Sequence, residues 1–249
     1  MTALDAQPIS GINTNDADQI VVRQKSPTIG AVVSGVDMSS TLSDAAIGVI
    51  RQALLDWKVL FFHDQDITTE QHLAFGRRFG ELEVHPFAPE KPGFPEVLAI
   101  THDEDSAGYE NLWHSDVTWR ADPSLGSILR LLEGPAVGGD TLFADMYQAF
   151  ASLSAEMQLI LLRLTARHDP TGTYLSLSGE KTLRELPAQV HPVVRTHPLT
   201  GRKALYVNSA FTGKIKQLSK PESRALLDML YQHISAGISF QIRVHWQPH

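Results

Sequence analysis

His114 and Asp116 are separated by one residue, and a histidine and a carboxylate at this spacing can bind one metal ion together. On an extended strand, side chains two residues apart point to the same face, so an imidazole nitrogen and a carboxylate oxygen could reach the same ion. With a second histidine from elsewhere, the pair would complete the two-histidine, one-carboxylate set of non-haem iron sites, which leaves coordination positions open. The two residues therefore form a candidate metal site.

The spacing by itself is weakly specific. The chain has 11 histidines, and chance alone gives roughly one His-x-Asp pair in a sequence of this composition. For His114 the alternative is a surface or core histidine beside an incidental aspartate. His102 and Glu104 form a competing pair in a polar loop, and we reject that pair as the iron site because no further motif supports it.

Composition restricts the class of function. The 249 residues suffice for one large domain with a sizeable core, and we expect a flexible tail over residues 1–18 and a single domain over residues 19–249. The net charge of −7 argues against nucleic-acid and anionic-membrane partners, which favour basic surfaces. The absence of cysteine excludes disulfides and thiol nucleophiles. No secretory signal or bilayer-spanning stretch is recognisable, so we expect a cytoplasmic enzyme.

The hydrophobic pattern predicts short strands interrupted by a few helices. Capping residues and helical periodicity predict helices over 44–57, from Thr68 to Gly80, from Ser154 to about Ala166 and from Ser219 to about Ser235. Strands are predicted within 20–38 and at 59–62, 97–101, 126–132, 141–144, 193–196, 204–208 and 238–246. Strands at this spacing with helices outside them indicate a mostly β jelly roll. A parallel α/β sheet is less well supported, because strands and helices alternate only as far as Gly80.

Longer motifs are much more specific than the metal-binding pair alone. They are NLWHSDVTW at 111–119, GGDTLF at 138–143, HPVVRTHP at 191–198, FGRRFGE at 75–81 and HP at 85–86. This combination resembles the taurine dioxygenase family of Fe(II)/2-oxoglutarate-dependent oxygenases, and the likeness runs from about Ile20 to Trp246. The resemblance implies the double-stranded β-helix (jelly-roll) fold of 2-oxoglutarate oxygenases.

The resemblance also implies roles for individual residues. His114 and Asp116 would be two of three iron ligands on a jelly-roll strand, and Thr141 would donate its hydroxyl to the distal carboxylate of 2-oxoglutarate. A hydroxyl beside two glycines can approach a bound anion closely; without the resemblance, Thr141 would be interpreted as a β-branched strand residue. The implied reaction hydroxylates a small organic acid with O2, using Fe(II) and 2-oxoglutarate and releasing succinate and CO2.

The third ligand of the family, a histidine followed by an arginine that pairs with 2-oxoglutarate, falls on a strand beyond Arg243–Pro248. His245 and His249 are candidates by residue type, but both lie too early in the family register, so exposed terminal histidines are the favoured interpretation. We therefore expect the jelly roll to be incomplete at its C terminus, and these 249 residues alone to bind iron weakly and to turn over little.

The expected substrate site departs from that of taurine-type enzymes. His85 matches their substrate-contacting histidine and could hydrogen-bond an anionic group, although a plain loop histidine is equally well supported. Ala88 stands where they have tyrosine, Glu110 stands where they have asparagine, and Thr173 and Tyr174 fall near their Ser-Phe pair. One hydroxyl fewer and one negative charge more predict a substrate other than taurine: another sulfonate, a sulfate ester or an aryloxyalkanoate.

Two other functions stay open at this point. A zinc or manganese hydrolase could use His114 and Asp116 with an activated water and Glu110 as general base. A catalytically inactive binding module would keep the fold and bind a ligand without metal dependence. Substitution of Thr141 would weaken 2-oxoglutarate binding only if the chain is an oxygenase. The sequence fixes no symmetry or interface, so a homo-oligomer is also left open.

Overall fold

The computed structural model describes residues 16–85, 90–101, 111–171 and 188–248, and the chain divides into two compact units. The N-terminal unit contains Met1–Glu81, Arg130–Val137 and Trp246–His249, and the site unit contains Leu82–Leu129 and Gly138–His245. The site unit carries the candidate metal, co-substrate and substrate residues. The expected single domain over residues 19–249 remains a prediction.

The N-terminal unit combines a small sheet with helices. In chain order it contains α1 (Asp16–Gln19), β1 (Val21–Gln24), β2 (Ala31–Ser34), α2 (Asp44–Trp57), β3 (Leu60–Phe62) and α3 (Thr69–Arg77). The central strand β2 runs antiparallel to β1 and parallel to β3. Apolar side chains of β2, α2 and α3, among them Val33, Ile50 and Phe75, form its buried cluster.

Capping chemistry explains where its two longer helices begin. The Ser43 side chain accepts the N–H of Ala46 at the start of α2, and Thr68 and Gln71 form a capping box at the start of α3. Both caps satisfy backbone donors that have no partner within the helix. The two helix starts predicted from the sequence are confirmed.

The site unit contains most of the strands and three helices in its described part. In chain order these are β4 (Glu90–Lys91), β5 (Phe94–Leu98), β6 (Thr141–Ala144), α4 (Met146–Ala151), α5 (Ala155–Leu161), β7 (Thr165–His168), β8 (Gln189–Pro192), β9 (Val194–Thr196), β10 (Lys203–Leu205), β11 (Thr212–Ile215), α6 (Lys220–Ala236), a 3-10 turn (Ile238–Phe240) and β12 (Gln241–Val244). The antiparallel sheets have the orders β11-β7-β8, β6-β12, β9-β10 and β4-β5. The predicted strand-rich fold with flanking helices is confirmed, and the strands do not close into a barrel within the described ranges.

Helix α6 supplies much of the core of this unit. Its buried positions Ser223, Leu227, Leu230 and Ile234 recur at helical spacing, and its leucines pack in a cluster with residues of β10 and β11. Full burial of each such side chain stabilises the fold by roughly 1.5–3 kcal/mol. Helix α6 therefore packs against β10 and β11 of the site unit.

The structure corrects several predicted boundaries. The α5 helix ends at Leu161, because Ala166 pairs with His191 across β7 and β8. The strand predicted at 97–101 lies at Phe94–Leu98, and a 3-10 turn precedes β12. The strand predicted at 126–132 is wrong: that segment has no strand pairing, and Ile128 and Leu129 are exposed. An apolar run alone does not make a strand without a pairing partner.

None of the helices in the described ranges is long and apolar enough to cross a membrane.

Candidate active site

His114 and Asp116 lie in a loop, and the prediction that they lie on a strand is wrong. Asp116 opens a turn that continues to Trp119, and the Arg120 N–H donates to the Val117 carbonyl at 2.9 Å. Val117 has a φ of 45°, a left-handed conformation that costs a β-branched residue roughly 1–3 kcal/mol. The backbone therefore turns away immediately after Asp116, and the loop fold brings the pair together.

The two side chains present one nitrogen and one oxygen to a shared position. Nε2 of His114 lies 3.4 Å from Oδ1 of Asp116, and Nδ1 of His114 lies 2.8 Å from the Leu112 carbonyl. Since a carbonyl only accepts, Nδ1 carries the proton, and Nε2 is the donor atom for a metal when the ring is neutral. Two donors each about 2.1 Å from an ion lie roughly 3.0–3.4 Å apart at angles near 90–110°. The pair fits a divalent metal ion.

Hydrogen bonds keep the Asp116 carboxylate ionised. Before a metal binds, a proton on Nε2 of His114 can be donated to Oδ1, and this contact is the main cause that lowers the pKa of Asp116. The Ser127 hydroxyl lowers this pKa further by donating to Oδ2 at 2.5 Å. Burial acts in the opposite direction and is outweighed. A metal ligand must be deprotonated, so the local environment already favours the form that binds a cation.

His85 is half-buried and lies within electrostatic reach of Asp116. Burial is the main cause that lowers the pKa of His85; Glu83 opposes this effect and Arg120 adds to it. Arg120 forms a 2.6 Å ion pair with Glu83, which also accepts from the Ser124 hydroxyl at 2.6 Å. A neutral His85 can donate to an anionic group or accept from one that is protonated.

Thr141 is the first residue of β6 and is partly buried. It follows Gly138 and Gly139, whose φ values of 87° and 67° need the conformational freedom of glycine. The β12 strand pairs with β6 and places Val244 opposite Thr141. The glycine turn and the pairing of β6 with β12 together determine where β6 begins.

His245, a candidate third ligand by residue type, interacts with Asp140 instead. Its Nδ1 lies 2.9 Å from Oδ1 of Asp140, and Nε of Arg243 donates to the other oxygen of the same carboxylate at 2.5 Å. Over residues 16–85, 90–101, 111–171 and 188–248, no group of three histidine, aspartate or glutamate side chains has the arrangement of a metal site. The structure therefore brings two of the expected ligands together.

Several candidate residues lie outside the described residues. They are Ala88, His102, Glu104, Glu110, Thr173, Tyr174 and His249. The base of the hydrolase alternative and two of the three predicted substrate residues belong to this set, so their roles remain predictions.

Sequence reasoning missed the side chains that hold the metal-binding pair. Ser127 contacts Asp116 from 11 residues away, and the buried Thr118 hydroxyl contacts Asn208 and His168 from 90 and 50 residues away. Only the position of Thr118 within the 111–119 motif could have drawn attention to it. The other partners carry no local signal, because tertiary folding alone brings them to the loop.

Several dioxygenases are similar in sequence to this chain over most of its length. The chain is 32% identical over 248 residues to an alpha-ketoglutarate-dependent sulfonate dioxygenase of Saccharomyces cerevisiae, covering 93% of this chain and 59% of the relative. It is 32% identical to an alpha-ketoglutarate-dependent sulfate ester dioxygenase of Pseudomonas putida (88% and 75% covered) and 34% identical to an (S)-phenoxypropionate/alpha-ketoglutarate-dioxygenase of Sphingobium herbicidovorans (82% and 75% covered). The chain spans about three fifths of the length of the first two curated relatives that it matches.

Solved structures show the same fold at substantial sequence identity. A taurine dioxygenase from Burkholderia xenovorans superposes with a TM-score of 0.79 at 35% identity, covering 92% of this chain and 77% of that one. The enzyme AAD-2, solved with Mn(II) and N-oxalylglycine, superposes with a TM-score of 0.75 at 30% identity, covering 92% and 84%. Residues 22–249 match the model described as "Taurine catabolism dioxygenase TauD, TfdA family", and the chain belongs to this family.

Proposed function

We propose that this chain is an Fe(II)- and 2-oxoglutarate-dependent dioxygenase that hydroxylates a small organic acid. The observation that carries the proposal is the 3.4 Å approach of His114 Nε2 to Asp116 Oδ1, with the other ring nitrogen held by a backbone carbonyl. Support comes from relatives whose names state dependence on alpha-ketoglutarate, another name for 2-oxoglutarate.

Each described site residue has a distinct task in this proposal. His114 and Asp116 hold the iron, Thr141 donates its hydroxyl to the distal carboxylate of 2-oxoglutarate, and His85 orients the acid group of the substrate. Ser127 keeps the Asp116 carboxylate in place. When bound, Fe(II) and 2-oxoglutarate would activate O2, which is the oxidant: one oxygen atom enters the substrate as a hydroxyl and the other enters succinate, with release of CO2.

The substrate class follows from the relatives and from the departures in the substrate region. The relatives are named for a sulfonate, a sulfate ester and a phenoxypropionate, which are all small organic anions. Because Ala88 and Glu110 differ from the residues of taurine-type enzymes, we infer that the substrate is an acid other than taurine. A cytoplasmic location, with small-molecule substrate and O2 as partners, completes the proposal; a homo-oligomer is compatible with it.

An anaerobic titration with Fe(II) and 2-oxoglutarate tests the cofactor pair. A saturable, weak visible charge-transfer band that disappears in His114→Ala and persists in His63→Ala supports the proposal. His63 is a suitable control because it belongs to the N-terminal unit. A band that is unchanged in His114→Ala would contradict the assigned iron ligand.

A substrate screen tests the proposed class. Taurine, a longer alkylsulfonate, an alkyl sulfate and an aryloxyalkanoate are compared by the succinate released with each substrate. The expected result is higher turnover with one of the other three acids than with taurine. Taurine as the best substrate would overturn the inference drawn from Ala88 and Glu110.

A further inference from the structure

One short segment contacts the loop of the metal-binding pair on both sides of His114 and Asp116. We call residues 208–212 the anchor loop and residues 113–120 the ligand loop; both belong to the site unit. The Ser209 hydroxyl donates to the Trp113 carbonyl at 3.2 Å. The Asn208 side chain donates to the Thr118 hydroxyl at 3.1 Å. The anchor loop therefore holds the ligand loop before the histidine and after the aspartate.

The orientation of the Asn208 amide is fixed by its own loop. Its Oδ1 accepts the Phe211 N–H at 2.8 Å, so its Nδ2 is the atom that faces Thr118. The Asn208 N–H donates to the Thr212 hydroxyl at 3.0 Å, and the Thr212 N–H returns a hydrogen bond to the Asn208 carbonyl at 3.0 Å. These bonds are buried, where an unpaired polar group costs about 1–3 kcal/mol.

The Thr118 hydroxyl connects Asn208 to His168 through hydrogen bonds. Thr118 accepts from Asn208, and its hydroxyl shares a hydrogen bond with Nδ1 of His168, which lies 2.9 Å away; the Thr212 hydroxyl lies 3.4 Å from the same ring nitrogen. His168 is completely buried, and burial lowers its pKa to about 3, so the ring in this network is neutral. Asn208, Thr118 and His168 therefore form one buried chain of hydrogen bonds.

Packing reinforces the same contact between the loops. Phe211 of the anchor loop is buried in one cluster with Val117 and Trp119 of the ligand loop. Val117 is the residue with the left-handed backbone, and such strain persists only where the surroundings determine the conformation strongly. The apolar cluster and the hydrogen bonds between the two loops hold the backbone of Val117 in this conformation, next to Asp116.

We propose that Asn208, Thr118 and His168 are positioning residues that hold the ligand loop in the conformation that brings His114 and Asp116 together. The inference rests on the proposed function, because it treats these two residues as metal ligands. Groups behind metal ligands commonly change metal affinity by about 10- to 100-fold when they are removed. None of the three needs to touch the metal, the co-substrate or the substrate.

Two variants of Thr118 separate the hydroxyl from the shape of the side chain. Thr118→Val keeps the shape and removes the hydroxyl, whereas Thr118→Ser keeps the hydroxyl. Ile234→Val, in the core of the same unit, controls for loss of global stability. The probe is Mn2+ alone, and its affinity is measured by paramagnetic broadening of the His114 ring signals. Hydrogen exchange of the Arg120 amide, which donates to Val117, reports the ligand loop independently of metal.

The expected result is a Mn2+ affinity about tenfold weaker and a faster Arg120 exchange in Thr118→Val, both restored in Thr118→Ser. Wild-type values for both readouts in Thr118→Val would overturn the proposal, as would an equal loss of affinity in Ile234→Val at matched stability. Absence of Mn2+ broadening in the wild type contradicts the proposed metal site instead. In that case Arg120 exchange in the two Thr118 variants still decides whether the network holds the loop.

Discussion

The Ser127 hydroxyl donates to Oδ2 of Asp116 at 2.5 Å, while Oδ1 of the same carboxylate faces Nε2 of His114 at 3.4 Å. The two oxygens of Asp116 therefore have different tasks before any metal binds. One is held by the protein and the other is directed towards the shared position. A carboxylate fixed in this way is oriented to coordinate through one oxygen, and groups that orient ligands tune the metal affinity.

Replacing Ser127 by alanine should weaken metal binding by about tenfold. The Asp116 carboxylate loses one of the hydrogen bonds that lower its pKa and becomes free to rotate. The measurement is a Mn2+ titration at fixed pH. Ser124→Ala is the matched control, because Ser124 donates to Glu83 and not to Asp116. Equal affinities in the two variants would show that Ser127 does not orient the carboxylate.

The free energy of unfolding should decrease as the pH falls below about 6.5, because His168 is buried. Burial lowers the pKa of His168 in the folded protein from 6.5 to about 3. Between these two pH values the unfolded chain binds a proton at His168 and the folded protein does not. The free energy of unfolding then rises with pH, by about 1.4 kcal/mol per unit from this group. Urea denaturation of the wild type and of His168→Gln between pH 5 and 6 measures the difference in slope.

The comparison between the two slopes isolates His168 from the other titrating groups. The glutamine variant is expected to be less stable throughout and to show the shallower dependence on pH. Ile234→Val should lower stability by a similar amount at every pH, since it removes no titrating group. Parallel curves for the wild type and His168→Gln would mean that the folded protein protonates His168 like the unfolded chain.

Thr141→Val should weaken 2-oxoglutarate binding by about tenfold and leave Mn2+ affinity within about twofold. The variant keeps the β-branched shape that suits the first position of β6 and removes the hydroxyl proposed to donate to the co-substrate, an interaction with a charged group worth about 1.5–3 kcal/mol. Isothermal titration with 2-oxoglutarate in the presence of Mn2+ measures the effect. Thr141→Ser should recover most of the affinity, and a failure to do so would assign the loss to packing.

Local signals in the sequence predict the starts of the longer helices well and the conformation of the ligand loop poorly. The starts of α2 and α3 follow from Ser43, Thr68 and Gln71, because capping depends on residues three positions apart. The strands β1, β2, β3, β6, β9 and β12 also lie within their predicted segments. These elements follow from short-range chemistry that a single sequence displays.

The remaining features depend on contacts between distant residues. His114 and Asp116 approach each other in the structure, but the turn at Val117 and not a strand brings them together. Thr118 and Asn208 are 90 positions apart, so no local pattern connects them. The segment 126–132 has an apolar pattern without a pairing partner, which shows that periodicity predicts burial only when the tertiary fold supplies a neighbour.

Replacement by alanine should change the free energy of unfolding in opposite directions at two glycines of the N-terminal unit. A Cβ at Gly35, whose φ is +78°, would lie 2.0 Å from the Gln19 carbonyl oxygen, so Gly35→Ala should lower the free energy of unfolding by about 2 kcal/mol or more. Gly48 lies inside α2 with nothing within 4 Å of an added Cβ, so Gly48→Ala should raise it by about 0.5–1 kcal/mol. Urea denaturation measures both, and equal changes would contradict the described turn at Gly35.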